Sequence, residues 1–242
     1  MVIGLVVTGC FGGGKKAEGP PVSDSGPALT YVAIGASESV GAGADAPLRE
    51  GWTKAFWTAS MPRQTSFTDL AVSGSTTAQA VTEQLPLALE LHPDYTTIWL
   101  NVNDIVAGIS PADYEHSLSQ IVSALSAGAR TRVFVANTPP LDQLAAFTKA
   151  RNGDFSNRSP FANRPVPTPS WLNTTVDAYN AAAARVAHNY GVTLVDLHAV
   201  GLAARMNGNA DALIAGDGFH PSTQGHAAIA QAFAAALKIT RP

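Results

Sequence analysis

From residue 30 onward the chain alternates short β-branched or aromatic runs with longer stretches of helical periodicity, and no other feature restricts its fold as tightly. Five runs read as strands: residues 31–34, 67–72, 97–102, 132–136 and 192–196. Their near-continuous apolar character suits strands buried on both faces of a parallel sheet. The segments between them carry helix signals. Ser110 and Pro111 read as an N-cap and first-turn proline, Tyr114, Leu118, Ile121 and Leu125 then share one helical face, and Gly128 closes the helix. Thr76 with Gln79 has the pattern of a capping box ahead of Val81 and Leu85, and Pro86 should kink or end that helix. Further helices are read over 176–190 and 223–237. Strand and helix in alternation imply a three-layer α/β/α sandwich around a five-stranded, mainly parallel sheet, with functional loops past the C-terminal strand ends. One stretch, 138–172, breaks the alternation with six prolines and little periodicity, and is read as a long functional loop or lid.

Composition narrows the class. Hydrophobic residues make up 46% of the chain and charged residues 14%, which favours a folded domain over disorder. A net charge of −3, with no basic cluster larger than Lys15-Lys16, gives no electrostatic case for a nucleic-acid partner. A single cysteine rules out an internal disulfide and a cysteine-based zinc cluster.

The position of that cysteine is informative. Residues 2–9 are small and apolar, and the sequence Val7-Thr8-Gly9-Cys10 resembles a bacterial lipobox, in which the cysteine receives a lipid. Residues 1–10 are too short to span a bilayer and lack a basic leading region, so they read as a truncated signal segment. Residues 11–29, with Gly12-Gly13-Gly14 and Pro20-Pro21, read as a flexible tether ahead of one domain over 30–240. The expectation is an exported protein anchored by a lipidated Cys10 to the outer face of the cell membrane, or released from the cell.

Chemistry concentrates at the strand ends and near the C-terminus. Asp217-Gly218-Phe219-His220-Pro221 places a carboxylate three residues before an imidazole on a short loop. A carboxylate so placed can accept from one ring nitrogen and leave the other free to take a proton, the base-and-orienter half of a nucleophilic site. After the first strand, Gly35-Ala36-Ser37-Glu38-Ser39 sets a serine on a glycine-flanked turn. After the second, Ser73-Gly74-Ser75 can present a backbone N–H, and after the third, Asn103-Asp104 offers a side-chain amide. A backbone N–H beside an Asn amide is one way to build an oxyanion hole. Taken singly, each has a plainer use: Ser37 as a turn former, Gly74 for a tight turn, Asn103-Asp104 as an Asx turn or helix cap.

In chain order, Ser37, Gly74, Asn103 and His220 resemble the signature of the SGNH hydrolases, also called the GDSL esterase/lipase family, over about residues 30–238. The segment from His220 to His226 is similar to that family's H-P-x-x-x-G-H/Y block. The resemblance implies a flavodoxin-like fold, Ser37 as nucleophile, His220 as general base and acid, and Asp217 as its orienter. It implies an oxyanion hole from the N–H groups of Ser37 and Gly74 and the Asn103 side chain, with no cofactor and no metal. The chain departs from the family pattern twice, with Ala36 in place of the Asp of G-D-S and Asn101 in place of the Gly of G-x-N-D. The implied function is hydrolysis of carboxylic esters. A carbohydrate O-deacetylase, a lysophospholipase or a thioesterase would use the same groups, and a weakly active cell-surface binding module would keep the same fold. The oligomeric state is not readable. His198, beside Asp196, is read as structural, His226 as packing at the start of the last helix, and Trp99 as core. Trp52, Trp57, Trp171, Phe155 and Phe161 are candidates for either a pocket or packing.

Overall fold

The computed structural model describes residues 28–128, 130–153 and 165–239. The lipobox-like segment and Cys10, most of the tether, and Phe155 and Phe161 lie outside the described residues. The elements in chain order are β1 (Thr30–Gly35), α1 (Ser37–Val40), α2 (Pro47–Glu50), α3 (Trp52–Ser60), β2 (Ser66–Asp69), α4 (Thr77–Glu83), α5 (Leu85–Glu90) and β3 (Tyr95–Trp99). They continue as α6 (Val102–Ala107), α7 (Pro111–Ser126), β4 (Arg132–Ala136), α8 (Ala145–Arg151), α9 (Pro169–Tyr190), β5 (Thr193–Val195), α10 (Leu197–Met206), a 3-10 turn (Ala210–Leu213) and α11 (Thr223–Ile239).

The five strands pair in the order β2-β1-β3-β4-β5, every pair parallel. Alternation along each strand divides the core into two layers. Val32, Ile34, Ile98, Val133 and Val135 face α4 to α9, where Leu118, Ile121, Val176 and Tyr179 meet them. Tyr31, Ala33, Trp99, Phe134 and Val195 face α3, α10 and α11, where Trp52, Phe56 and Phe233 fill the space. Trp52 lies flat against Phe233 at a centroid separation of 4.4 Å, and both are fully buried. An aromatic pair of that kind adds about 0.5–1.5 kcal/mol beyond its area burial. The result is the three-layer sandwich expected from the alternating sequence.

The helix punctuation behaves as its chemistry requires. Thr76 and Gln79 form a complete capping box at α4, the Ser110 hydroxyl accepts from the Asp113 N–H, and Pro86 sits in the first turn of a new helix, α5. The stretch 138–172 is more regular than its composition suggests. It contains α8, a two-turn helix anchored by Phe147 and Ala150, too short to leave a periodic signal. It also contains the start of α9, whose Thr168 N-cap and Pro169 carry the helix back before residue 176. No helix among the described residues is long and apolar enough to cross a membrane.

Candidate active site

Because β1 lies between β2 and β3 and all run parallel, the turns after these three strands open side by side at one edge of the sheet. Ser37 begins α1 two residues past the end of β1, and its side chain is nearly buried. The long return from β5 through α10 and the 3-10 turn brings His220 to the same edge. Its Nε2 stands 3.0 Å from the Ser37 Oγ, although 183 positions separate the two residues. On the other side of the ring, Nδ1 lies 2.6 Å from the Asp217 Oδ2.

The Asp217 carboxylate is held inside its own loop. Its Oδ1 accepts from the N–H groups of Phe219 at 2.9 Å and His220 at 3.0 Å. Partial burial works against its charge, yet the bonds from the His220 ring and these two N–H groups outweigh it and keep the carboxyl below the usual range. A carboxylate that accepts at Nδ1 fixes the imidazole tautomer with Nε2 bare, so the Ser37 hydroxyl can donate to it. Gly43 backs this arrangement: at its φ of 94° the chain passes so close that a Cβ would lie 2.2 Å from the Pro221 carbonyl oxygen and 2.9 Å from the His220 Cβ.

The loops after β2 and β3 are tied together and to the Ser37 turn. The Asn103 amide donates to the Ser75 carbonyl at 3.1 Å, which sets the side chain beside the loop that carries Gly74. Gly74 adopts φ 83°, a left-handed conformation that disfavours any side chain, and open space lies over its Cα. Beneath them, Gln84 is buried. Its Oε1 accepts from the Gly35 N–H at 2.9 Å, and its amide donates to the Gly35 carbonyl and the Ser75 hydroxyl. Asp104 completes the brace. Both its oxygens accept from the Thr77 N–H at the start of α4, and Oδ2 also accepts from the Thr77 hydroxyl. Burial pushes the Asp104 carboxyl up to about 6, against the pull of those bonds.

Two residues reveal more than their sequence context did. Ala36 is packed within the core layer beside Val32 and Ile34, so the position carries no acid into the site. The carboxyl beside the serine belongs instead to Glu38: it is 7% exposed, and its Oε2 accepts from the Ser37 hydroxyl at 3.3 Å. Burial pushes Glu38 upward, opposed by its own N–H and by the nearby His220 and Ser37. The sequence signal was there: an acid next to a candidate nucleophile, at the start of a helix. Asn101, the second departure, has φ −178°, extended backbone open to any residue, so no glycine is required there. It is buried close to the Tyr114 hydroxyl.

The remaining candidates take up structural posts. His198 Nδ1 is 3.0 Å from the Thr138 carbonyl, to which it can only donate, and it anchors the start of the 138–144 loop. His226 is buried: its Nε2–H donates to the Ala42 carbonyl and its Nδ1 accepts from the Trp52 N–H. Burial holds its ring below the usual histidine range. Trp52 and Trp57 belong to the α3 packing, where Trp57 stacks on Phe67 under the Lys54 ammonium, and Trp171 is exposed. Trp99, read as core, also lines a cavity of about 340 Å³ behind the site. Among the described residues no group of three or more His, Cys, Asp or Glu side chains could hold a metal ion.

A parallel α/β sandwich carrying a serine–histidine–aspartate chain at its C-terminal edge defines a class of hydrolases. A family model described as GDSL-like lipase/acylhydrolase matches residues 33–228, most of the chain, and the protein belongs to that family. It is an esterase of the GDSL/SGNH type. No curated protein matches the sequence. Solved structures share the fold at low identity. A lipase/acylhydrolase from Enterococcus faecalis aligns with a TM-score of 0.64 and 16% identity over 87% of this chain and 95% of its own. An acetyl xylan esterase aligns with a TM-score of 0.64 and 16% identity over 86% of this chain and 100% of its own. A two-domain esterase active on acetylated mannans aligns with a TM-score of 0.64 and 17% identity over 90% of this chain and 51% of its own.

Proposed function

We propose that the protein hydrolyses carboxylic esters through an acyl-serine formed on Ser37. The observation that carries the reading is the unbroken chain from Asp217 Oδ2 through the His220 ring to Ser37 Oγ, with links of 2.6 and 3.0 Å. Ser37 Oγ attacks the ester carbonyl carbon while its proton passes to His220 Nε2, and Asp217 stabilises the imidazolium that forms. The carbonyl electron pair moves onto oxygen, where the N–H groups of Ser37 and Gly74 and the Asn103 amide meet it. Collapse breaks the bond to the alcohol oxygen, which leaves with the proton from Nε2. Water then attacks the acyl-serine, gives its proton to Nε2, and releases the carboxylic acid with regeneration of the Ser37 hydroxyl.

Wild-type protein should release 4-nitrophenol from 4-nitrophenyl acetate, and Ser37→Ala should lose about 10⁴-fold or more in kcat. Hydrolysis by Ser37→Ala at the wild-type rate would remove Ser37 from the nucleophile's role. Among acyl esters, small acyl groups on a carbohydrate alcohol are the substrates we favour. Two structures of the same fold act on, or are named for, acetylated polysaccharides.

We infer in addition that the enzyme is exported and held at the outer face of the membrane by a lipid on Cys10, with residues 11–29 as tether. The Val7-Thr8-Gly9-Cys10 sequence supports this. Labelled palmitate should enter the protein expressed in bacteria and be absent from Cys10→Ser; no incorporation, or equal incorporation into both, would refute the anchor.

A further inference from the structure

Behind the Ser37–His220 pair lies the cavity of about 340 Å³, a size that suits a small-molecule ligand. Three of its walls come from the immediate neighbours of the site: Glu38 after Ser37, Val102 before Asn103, and Phe219 between Asp217 and His220. Leu141 and Leu144 of the 138–144 loop and Val200 of α10 make the rest of the enclosure largely apolar. Arg205, also at its edge, is already bound to Asp142 at 2.7 Å. A carboxyl in an apolar pocket is a costly group unless something hydrogen-bonds to it. Gln143, Lys149 and Asp211 also line the cavity, but Glu38 is the polar side chain next to Ser37; in ligand sites a few such polar groups fix orientation and specificity.

Glu38 also competes for the proton that the reaction needs. The Ser37 hydroxyl has one hydrogen, with two acceptors in reach: His220 Nε2 at 3.0 Å and Glu38 Oε2 at 3.3 Å. A hydrogen given to Glu38 is withheld from the base. A ligand that donates its own hydroxyl hydrogen to Glu38 would satisfy the carboxyl and leave the serine's hydrogen to His220.

We propose that Glu38 is a specificity-determining residue: the cavity admits a hydroxyl-bearing arm of the ester substrate, whose O–H donates to the Glu38 carboxyl and frees Ser37 for His220. This rests on the serine-esterase reading above and sharpens its substrate class to esters carrying a free hydroxyl near the scissile bond. An ester of similar bulk without the hydroxyl leaves Glu38 to draw on the serine's hydrogen, so it should be processed more slowly.

The test compares kcat/KM for acetate release from a monoacetylated methyl xyloside and from cyclohexyl acetate, which have the same acyl group and similar rings with and without hydroxyls. Wild-type enzyme should prefer the xyloside by at least about tenfold. Glu38→Leu should bring the ratio of the two kcat/KM values close to one, and Glu38→Gln, whose amide oxygen still accepts, should keep part of the preference. Val200→Trp, which fills the cavity from α10, should lower the ratio without touching Glu38. A ratio near one in the wild type, or a wild-type ratio retained in every folded variant, overturns the proposal. Melting curves identify the folded variants, and Glu38→Gln and Val200→Trp decide the matter if Glu38→Leu does not fold. If the wild type cleaves both esters at one rate by way of Ser37, only the Glu38 role fails. If neither ester is cleaved and Ser37 is inert, the esterase reading fails with it.

Discussion

The two flanks of Ser37 are built on opposite principles. On one side, the Asp217–His220 arm is local: one carboxylate takes the N–H groups of Phe219 and His220 and the His220 ring, all within four consecutive residues, at a partly exposed position. On the other side, the Gly74 and Asn103 loops depend on a buried brace. Gln84 reaches Gly35 across 49 positions, and Asp104 reaches Thr77 across 27. A local arm can be altered at its side chains with little effect on the fold, because the Asp217 carboxylate is bonded within its own loop at a partly exposed position. A buried brace cannot, because every polar group in it that loses a partner is left unpaired away from solvent. Activity and stability should therefore separate on the arm and fall together on the brace.

His220→Ala should give the largest effect, a loss in kcat of about 10⁴-fold or more. Its melting temperature should stay within a few degrees of the wild type. Steady-state kinetics and a thermal scan on the same preparation check both halves, and a collapse in stability would show that the arm is not local after all. Gln84→Leu should come next. It leaves the Gly35 N–H buried without its acceptor and cuts the link to Ser75, for a loss of about 2–4 kcal/mol in stability and a fall in kcat together. Urea denaturation measures the first, and full retention of stability would contradict the brace.

Asp104→Asn should give the smallest effect, and one confined to a pH window. Burial holds the native carboxyl at about 6, above its unfolded value near 3.8. The native state therefore binds this proton more tightly, and the stability it lends is full below pH 4 and lost as pH rises through 6. The total change is on the order of 2–3 kcal/mol. The difference between wild-type and Asp104→Asn stabilities should vary across pH 4 to 6 and level off above pH 7. A difference independent of pH would place the Asp104 carboxyl outside the core.

The same contrast explains what the sequence disclosed. The Asp217–His220 pair was legible because its spacing is its geometry, and Ser37, Gly74 and Asn103 because each follows a strand that a parallel sheet must bring to one edge. The capping box at Thr76 and the proline breaks were legible for the same local reason. Gln84 carried no such mark: it reads as the polar end of a helix, and its role arises only when α4 is folded against β1. The short α8 and the α10 helix were missed because two to three turns of helix give too few apolar repeats. Glu38 stood in plain view beside Ser37, yet its burial and its share in the serine's hydrogen bond depend on α10 and the 138–144 loop closing a cavity around it.

The proposed reaction turns on Ser37 as a nucleophile activated by His220. Peptide mass spectrometry after brief exposure to a fluorophosphonate measures that directly, because only a serine whose proton can be taken displaces fluoride and keeps the phosphonyl group. The expected result is one adduct on the peptide carrying Ser37, lost in Ser37→Ala and strongly slowed in His220→Ala. An adduct on another residue, or an unlabelled Ser37 in protein that still cleaves esters, would contradict it.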